Sequence, residues 1–582
     1  MKKILLIILS SFFLFSWASA NDDDITKAMS DELSRSMKEL KMDKLGSPYF
    51  IQYELTISKP FVISTSLGGT YSKNSGKSAV LDVTCKVGDY KFDNTNFISG
   101  GFIFFGGGGR DDEERYQDRS ISYEIDYPQL RRELWLATDA AYKKAAEEFS
   151  QKEAVAKSRL RKDTTWDYIK IEPKQSRDVV PFEQIDEKKI EAILDKISAI
   201  FKEYKDVFTS KVSFEYLPET KYFVNSEKME YIKSSAKFGF EITGTSQSTD
   251  GMSVYDFYTC YGNSLSQLPS EDSLIKAAYQ IAKNITALKN APVLDEDYSG
   301  PVIFEGQAAG ELFAQIFAPN LVTRREKISS AGFPFNDNFK AFQTKIGGRV
   351  LPEFLSLSDA PKQKEYNGIP LFGVYNLDDE GVDAQDVLLV DKGYLKTLLS
   401  SRVPTKRVKV TNGHFRNGST IVANMFVTAN PKFVMTNDKL VAKMMKLCKD
   451  RDLEYGIVVK KVTDNNIFTT SLFEQLFSGD YSFLPGGNAI TLCEAYKVYR
   501  DGHQELIRGS VASGITTQSF KDIINVGKTQ NVLNLWLSGS GSGNWTNASI
   551  IAPDLLFEDA EIKTIDKDFK KPPILDNPLS SK

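Results

Sequence analysis

Apolar residues recur along this chain with one of two periods, about 3.6 or about 2, and the switches between them mark out its elements. Met29, Leu33, Met37 and Leu40 predict an amphipathic helix over Ile25 to Leu40. The acidic Asp22-Asp23-Asp24 before it suits a helix N-terminus. The same spacing predicts helices over Gln129 to Lys157 (Leu130, Leu134, Ala137), Glu187 to Tyr204 (Ile190, Ile193, Leu194, Ile197, Phe201) and Asp272 to Leu288 (Leu274, Ala278, Ile281, Ile285). Between them, Tyr49 to Ile57, Ser78 to Val87, Val212 to Asn225, Glu230 to Gly244 and Met252 to Cys260 are aromatic and β-branched. These read as strands joined by Gly, Ser and Asn turns.

After the fourth helix the texture changes. Ala291 to Gly300 is rich in Pro, Asp and Gly, and short strands dominate beyond it. A strand over Pro301 to Phe304 leads into a helix from Gln307 to Phe317, stopped by Pro319, which has no N–H to continue the ladder. Strand patterns follow at Gly368 to Asn376, Asp386 to Val390, Tyr394 to Leu399, Phe426 to Ala429, Tyr455 to Val462, Ile490 to Tyr499, Val532 to Leu537 and Ile550 to Phe557. One helix, Asp438 to Lys449, interrupts them. The chain therefore reads as α+β, with an N-terminal mixed domain over residues 21–295 and a β-rich C-terminal domain over 296–582. The second is a sheet layer with two covering helices.

Composition narrows the function classes. Lys and Arg number 73 against 77 Asp and Glu, without the basic clustering that tracks a phosphate backbone, so nucleic acid is not an expected partner. Cys85, Cys260, Cys448 and Cys493 lie far apart, which argues against a zinc knuckle or a disulfide framework but leaves one or two bridges open. The glycine run at 105–114 lacks the Gly-Lys-Ser/Thr ending of a phosphate loop. At the start, Lys2 and Lys3, the apolar run Ile4 to Phe15 and Ala18-Ser19-Ala20 form a cleavable export signal over residues 1–20. The run is shorter than the roughly 20 residues of a spanning helix, so no membrane span is expected after cleavage, and the mature chain is expected to be soluble in the periplasm or another extracytoplasmic space.

Several strings of the second half occur in a telling order: Pro301-Val302-Ile303-Phe304 with Ala308-Ala309-Gly310; Asp378-Asp379-Glu380-Gly381-Val382 with Ala384-Gln385; Lys392-Gly393-Tyr394-Leu395 before Ser401-Arg402; Thr411-Asn412-Gly413-His414-Phe415-Arg416; and Gly486-Gly487 ahead of Tyr499-Arg500-Asp501-Gly502. In this order the half resembles the TldD/PmbA family, also called peptidase U62 or modulator of DNA gyrase. In the first half Trp135, Thr138, Asp139, Tyr142 and Ala145 resemble a pattern of larger exported relatives. The resemblance implies proteolysis of unfolded or extended peptides by a zinc-bearing branch. There the helix after Ala-Ala-Gly carries H-E-x-x-x-H, a cysteine near the C-terminus adds a third ligand, and subunits pair as homodimers or as a metal-bearing with a metal-free chain. Here the corresponding positions are Ala314, Gln315 and Pro319, and Leu533 to Asn547 holds no cysteine. None of the three side chains supplies an imidazole or a general base. No catalytic residue, metal ligand or cofactor is therefore expected, and the resemblance points to a PmbA/TldE-like subunit that binds peptide or supports a TldD-like protease. A hydrolase with altered chemistry and a stand-alone peptide-binding protein of the envelope are the alternatives.

The remaining chemistry-bearing residues have modest readings. Asp378, Asp379 and Glu380 can do acid/base work or bind a hard cation, but carboxylates in such a turn more often accept backbone N–H bonds. Gln385, His414 and Arg416 are cleft candidates, with surface structure the stronger reading for the last two; His414 and His503 read as solvated turn residues and Cys493 as a buried small residue. The export reading carries a direct test: N-terminal sequencing of the mature protein begins close to Asn21, and intact Met1 on a soluble cytoplasmic form would refute it.

Overall fold

The computed structural model describes residues 17–42, 46–98, 119–158, 164–329, 340–464, 466, 489–538, 545–565, 569, 571–575 and 577–578. The charged start and apolar run of the leader, the glycine run at 105–114 and Gly486-Gly487 lie outside the described residues. Four helices, α1 (Trp17–Glu39), α2 (Tyr127–Ser158), α3 (Glu187–Ala199) and α4 (Glu271–Asn290), pack on one face of a nine-stranded sheet. The first begins earlier than its spacing predicts, so Asp22 lies within it and is held by Tyr222 Oη at 2.6 Å and Arg177 Nη2 at 2.7 Å.

The path of the sheet runs Ser253–Gly262, Glu230–Gln247, Thr209–Asn225, Phe50–Ser58, Ser78–Lys86 and Arg119–Ile121. Alternation along these strands fills two cores. Tyr53, Leu55, Leu81 and Val83 meet α1 and α2, while Val212, Phe214, Phe240 and Ile242 meet α3 and α4. Thr138 of α2 binds Tyr53 Oη at 2.8 Å inside the first core. A hairpin, Phe61–Ser66 with Gly69–Ser75, is absent from the pattern reading because its second strand is polar and exposed.

The second sheet has twelve strands, with Tyr298–Phe304 parallel to Tyr455–Val462 and antiparallel to Trp545–Thr564. Helices α5 (Gly306–Leu312) and α6 (Asn437–Asp450) cover its opposite faces: Val302 and Phe304 turn to the core with α5, and Ile303 to the core with α6. Gly310 lets α5 approach the strand Ile523–Ser538, since a Cβ there would stand 2.8 Å from Leu533 Cδ2. The predicted strand Gly368 to Asn376 is replaced by a short Glu365–Tyr366/Ile369–Pro370 pair and irregular chain. Side chains satisfy that backbone instead of a neighbouring strand: Asn263 Nδ2 donates to the carbonyls of Leu371 and Phe372, and the N–H groups of Phe372 and Gly373 donate to Ser549 Oγ and Asn424 Oδ1.

Arg402 joins the second half of the chain to the first. Its side chain is fully buried, with Nη2 at 2.8 and 2.7 Å from the two oxygens of Glu227 and Nε donating to the Ile169 carbonyl at 2.9 Å. The guanidinium also lies 4.1 Å from the Tyr168 ring centroid. Removing one partner of a buried ion pair strands the other charge, so Arg402→Met is expected to destabilise the protein by about 3–5 kcal/mol in equilibrium unfolding. Arg402→Lys should recover little of this, because a point-charge ammonium cannot replace the planar fork that serves Glu227 and the Ile169 carbonyl together.

Candidate functional site

The polar face of the first sheet meets the acidic turn at 378–381. Asp378 is fully buried; its Oδ1 accepts the N–H groups of Glu380 at 2.9 Å and Val382 at 2.8 Å, and its Oδ2 that of Phe415 at 3.2 Å. Gly381 closes the turn at φ +80°, a region that favours glycine. Asp379 points to the first sheet, 2.7 Å from Lys233 Nζ and 3.3 Å from Lys221 Nζ, and accepts the Asn417 N–H at 2.7 Å. Glu380 accepts the Arg402 N–H at 2.7 Å.

These neighbours push adjacent carboxyls in opposite directions. Burial, reinforced by Glu380, holds Asp378 well above the usual carboxylate range. Burial also opposes ionisation of Asp379, but Lys221, Lys233 and the Asn417 N–H outweigh it and hold that group well below the range. A split of this kind is the electrostatic requirement for acid/base chemistry. Here, though, the oxygens of both groups are taken by backbone N–H groups and lysines, and the arrangement ties the turn to the first sheet.

His414 and Arg416 are inside the protein and not solvated. Gly413, at φ +74°, folds their loop onto residues 383 and 384, where a Cβ would stand 2.4 Å from the Asp383 carbonyl oxygen. The ring of His414 is thereby enclosed, with Nδ1 3.0 Å from both the carbonyl and side-chain oxygens of Asn412 and Nε2 3.6 Å from Asp359 Oδ1. Arg416 donates to the carbonyls of Asn547 at 2.8 Å and Val422 at 2.6 Å and lies over Tyr375. Gln385 is exposed, and His503 is exposed at the turn after Tyr499. Cys493 is buried in the strand Ile490–Tyr499 beside Tyr255 and Thr463, and burial pushes its thiol up to about 12, far from a thiolate nucleophile. All four cysteines are free.

The second centre lies just beyond α5. The expected single helix to Phe317 changes pitch: Phe313–Phe317 is a π-turn and Ala318–Asn320 a 3-10 turn containing Pro319. Pro319 has no N–H for the Gln315 carbonyl, which frees the ladder to widen at this point. Ala314 is buried, and Gln315 Nε2 donates to Glu311 Oε2 at 2.8 Å and to the Thr463 carbonyl at 2.7 Å. Glu311 is itself fully buried, and its Oε1 has no hydrogen-bond partner among the described residues. Thr463 Oγ1 lies 2.6 Å from Tyr255 Oη, on a strand of the first sheet. A methyl, an amide whose N–H groups are used and a proline ring do not fit a zinc centre, and among the described residues no three His, Cys, Asp or Glu side chains gather as a ligand set. Sequence reasoning missed Glu311, whose signal was a carboxylate four residues before Gln315 in an apolar helix, and Tyr255 and Asp464, which only the tertiary fold brings near.

Comparison with known proteins fits this architecture. Residues 297–564 match the model of the PmbA/TldA metallopeptidase C-terminal domain. A crystal structure of a protein described as a modulator of DNA gyrase from Thermotoga maritima shares the fold with TM-score 0.56 and 13% identity, over 92% of this chain and 99% of that one. TldE from Thermococcus kodakarensis gives 0.54 and 12% over 92% and 99%, and a protein described as a modulator of DNA gyrase from Bacteroides thetaiotaomicron gives 0.55 and 12% over 94% and 99%. No curated protein matches the chain significantly. Residues 297–564 thus match the C-terminal domain of the PmbA/TldA metallopeptidases, and the chain shares its α+β fold with these structures over nearly their whole length.

Proposed function

We propose that this chain is an exported, PmbA/TldE-like subunit without proteolytic chemistry of its own, which binds unfolded or extended peptide or supports a metal-bearing TldD-like protease. The observation that carries the reading is Gln315, at the position of the family's glutamate base, spending both amide N–H groups on Glu311 and Thr463. Such an amide takes no proton from water near neutral pH. The Cys493 thiol, pushed up to about 12 by burial, weighs against a relocated nucleophile. Among the described residues no helix is long and apolar enough to cross a membrane, which is compatible with release after leader cleavage.

A subunit of this kind needs a docking surface. The edge of the second sheet formed by Val387–Asp391 and Tyr394–Leu395 exposes Leu388 and Tyr394, apolar groups that a partner chain would cover. The reading predicts a large, substantially apolar dimer interface, above roughly 2,000 Å² in total. Sedimentation at micromolar concentration, first alone and then with a metal-bearing relative from the same envelope, is expected to give a dimer in at least one case. A monomer in both experiments sinks the subunit reading and leaves a stand-alone peptide-binding protein.

A further inference from the structure

The loop from Val403 to Thr411 carries a basic and apolar edge. Its turn is closed by the Thr405 N–H, which donates to the Val408 carbonyl at 2.8 Å, and by the Val408 N–H, which donates to Thr405 Oγ1 at 3.1 Å. Pro404 and Val408 are buried, whereas Lys406, Arg407, Lys409 and Val410 are exposed. The base of the loop is fixed. Ser400 Oγ donates to the Val410 carbonyl at 2.8 Å, Thr411 Oγ1 to the Ser400 carbonyl at 3.3 Å, and Arg325 Nη1 to the Pro404 carbonyl at 3.1 Å. Val410 is 71% exposed, and its anchored backbone keeps it turned away from the core. The same Arg325 Nη1 reaches the Trp166 carbonyl at 3.4 Å, which sets an exposed indole beside the loop. Lys91 Nζ lies 5.8 Å from the centroid of that ring, and the Ile169 N–H, donating to the Arg402 carbonyl at 3.0 Å, brings Lys170 alongside.

Charge does not cancel here as it does elsewhere on the surface. Lys73 and Lys196 sit 3.2 and 2.5 Å from Glu191 and Glu271, whereas Lys406, Arg407 and Lys409 have no carboxylate partner among the described residues. The exposed carboxylates of the flanking segments, Asp89, Glu172 and Glu326, are matched by the exposed Lys91, Lys170 and Lys327, so the three cations of the loop remain in excess. A single exposed valine is ordinary. Fixed cations around an exposed valine and an indole have the composition of a membrane-surface contact, in which basic groups meet anionic headgroups and apolar ones enter the boundary below them. Helix α6 shows the difference. Lys439 and Lys446 are exposed along it and Lys443 is half-exposed, but Leu440, Met444 and Cys448 are buried, and of its apolar residues only Ala442 is exposed.

We propose that the 403–411 loop, together with Trp166, is a reversible docking surface for an anionic phospholipid bilayer. Lys406, Arg407 and Lys409 bind headgroup phosphates, Val410 enters the boundary between headgroups and acyl chains, and Trp166 rests at that boundary. Because Ser400, Thr405 and Arg325 already hold the loop, little loss of freedom opposes the contact. The proposal is independent of the subunit reading, whose contacts lie at the Val387–Asp391 and Tyr394–Leu395 edge.

The test uses the full mature chain and vesicles of phosphatidylglycerol and phosphatidylcholine in equal parts, with phosphatidylcholine vesicles alone as the neutral control. Cosedimentation at low salt is expected with the anionic vesicles and not with the neutral ones. Raising salt to about 1 M, where screening shortens to about 3 Å, is expected to release the protein. Each cation near an anionic surface contributes roughly a fivefold gain in partition, so the triple variant Lys406→Gln, Arg407→Gln, Lys409→Gln is expected to bind about 100-fold more weakly. The triple variant Lys439→Gln, Lys443→Gln, Lys446→Gln on α6 removes the same net charge and is expected to bind as the unaltered protein does. Val410→Ser is expected to weaken binding while leaving its salt dependence in place. Tryptophan emission should shift to the blue on binding, and Trp166→Phe should abolish the shift. The proposal is overturned by a mature chain that ignores the anionic vesicles at low salt, by equal losses from the two triple variants, by a blue shift that survives in Trp166→Phe, or by a chain that binds double-stranded DNA but not these vesicles.

Discussion

Burying charge between two sheets is the constraint on which the rest of this structure depends. The polar face of the first sheet brings Lys221 and Lys233 to the acidic turn of the chain's second half, and Arg402 of that half meets Glu227 of the first. Ions taken out of water are tolerated only when each has its counter-charge and its remaining hydrogen bonds in place. That requirement dictates the tight acidic turn at 378–381, the inward loop at 411–416 and the backbone contact from Glu380 to Arg402, since each sets one charge within reach of another. The family's strings of Asp, Gly, His and Arg are, in this chain, the geometry of that seam.

The same constraint explains which parts were legible in the sequence. The helices α1 to α4 and α6 could be read because their apolar stripes meet a sheet, and burial of one face imposes a period on the sequence. The long strands were visible for the same reason, although their ends ran further, as at Thr209–Asn225 and Trp545–Thr564. What escaped has no period of its own. The Phe61–Ser66 and Gly69–Ser75 hairpin is polar on one limb, and the stretch from Leu371 to Gly373 is held by side chains from three distant segments. His414 was misjudged because a Gly-rich loop looks solvated in one dimension, and the backbone it folds against lies some thirty residues earlier in the chain, at 383 and 384.

The positions at the candidate site were legible in the sequence, and the contacts their side chains make were not. Ala314, Gln315 and Pro319 can be counted from Ala-Ala-Gly along one helix, whereas the partners that settle their environment, Thr463, Asp464 and Tyr255, come from the end of one strand and from the other domain. Local spacing can report which residue stands at each position of the helix. It cannot report which acceptors a newly placed amide will find.

The end of α5 is held from two sides. Here the apolar side does part of this, with Phe313 and Phe317 packed against Phe520 and Phe342. The polar side falls to Gln315, whose two N–H groups bind one acceptor within the helix and one beyond it. The π-turn at Phe313–Phe317 then has a physical reason to persist: Pro319 prevents the regular ladder from re-forming, and the aromatic cluster and the Gln315 bonds fix the widened turn from both sides. Gln315 and Pro319 thus belong to the interactions that keep the helix end ordered.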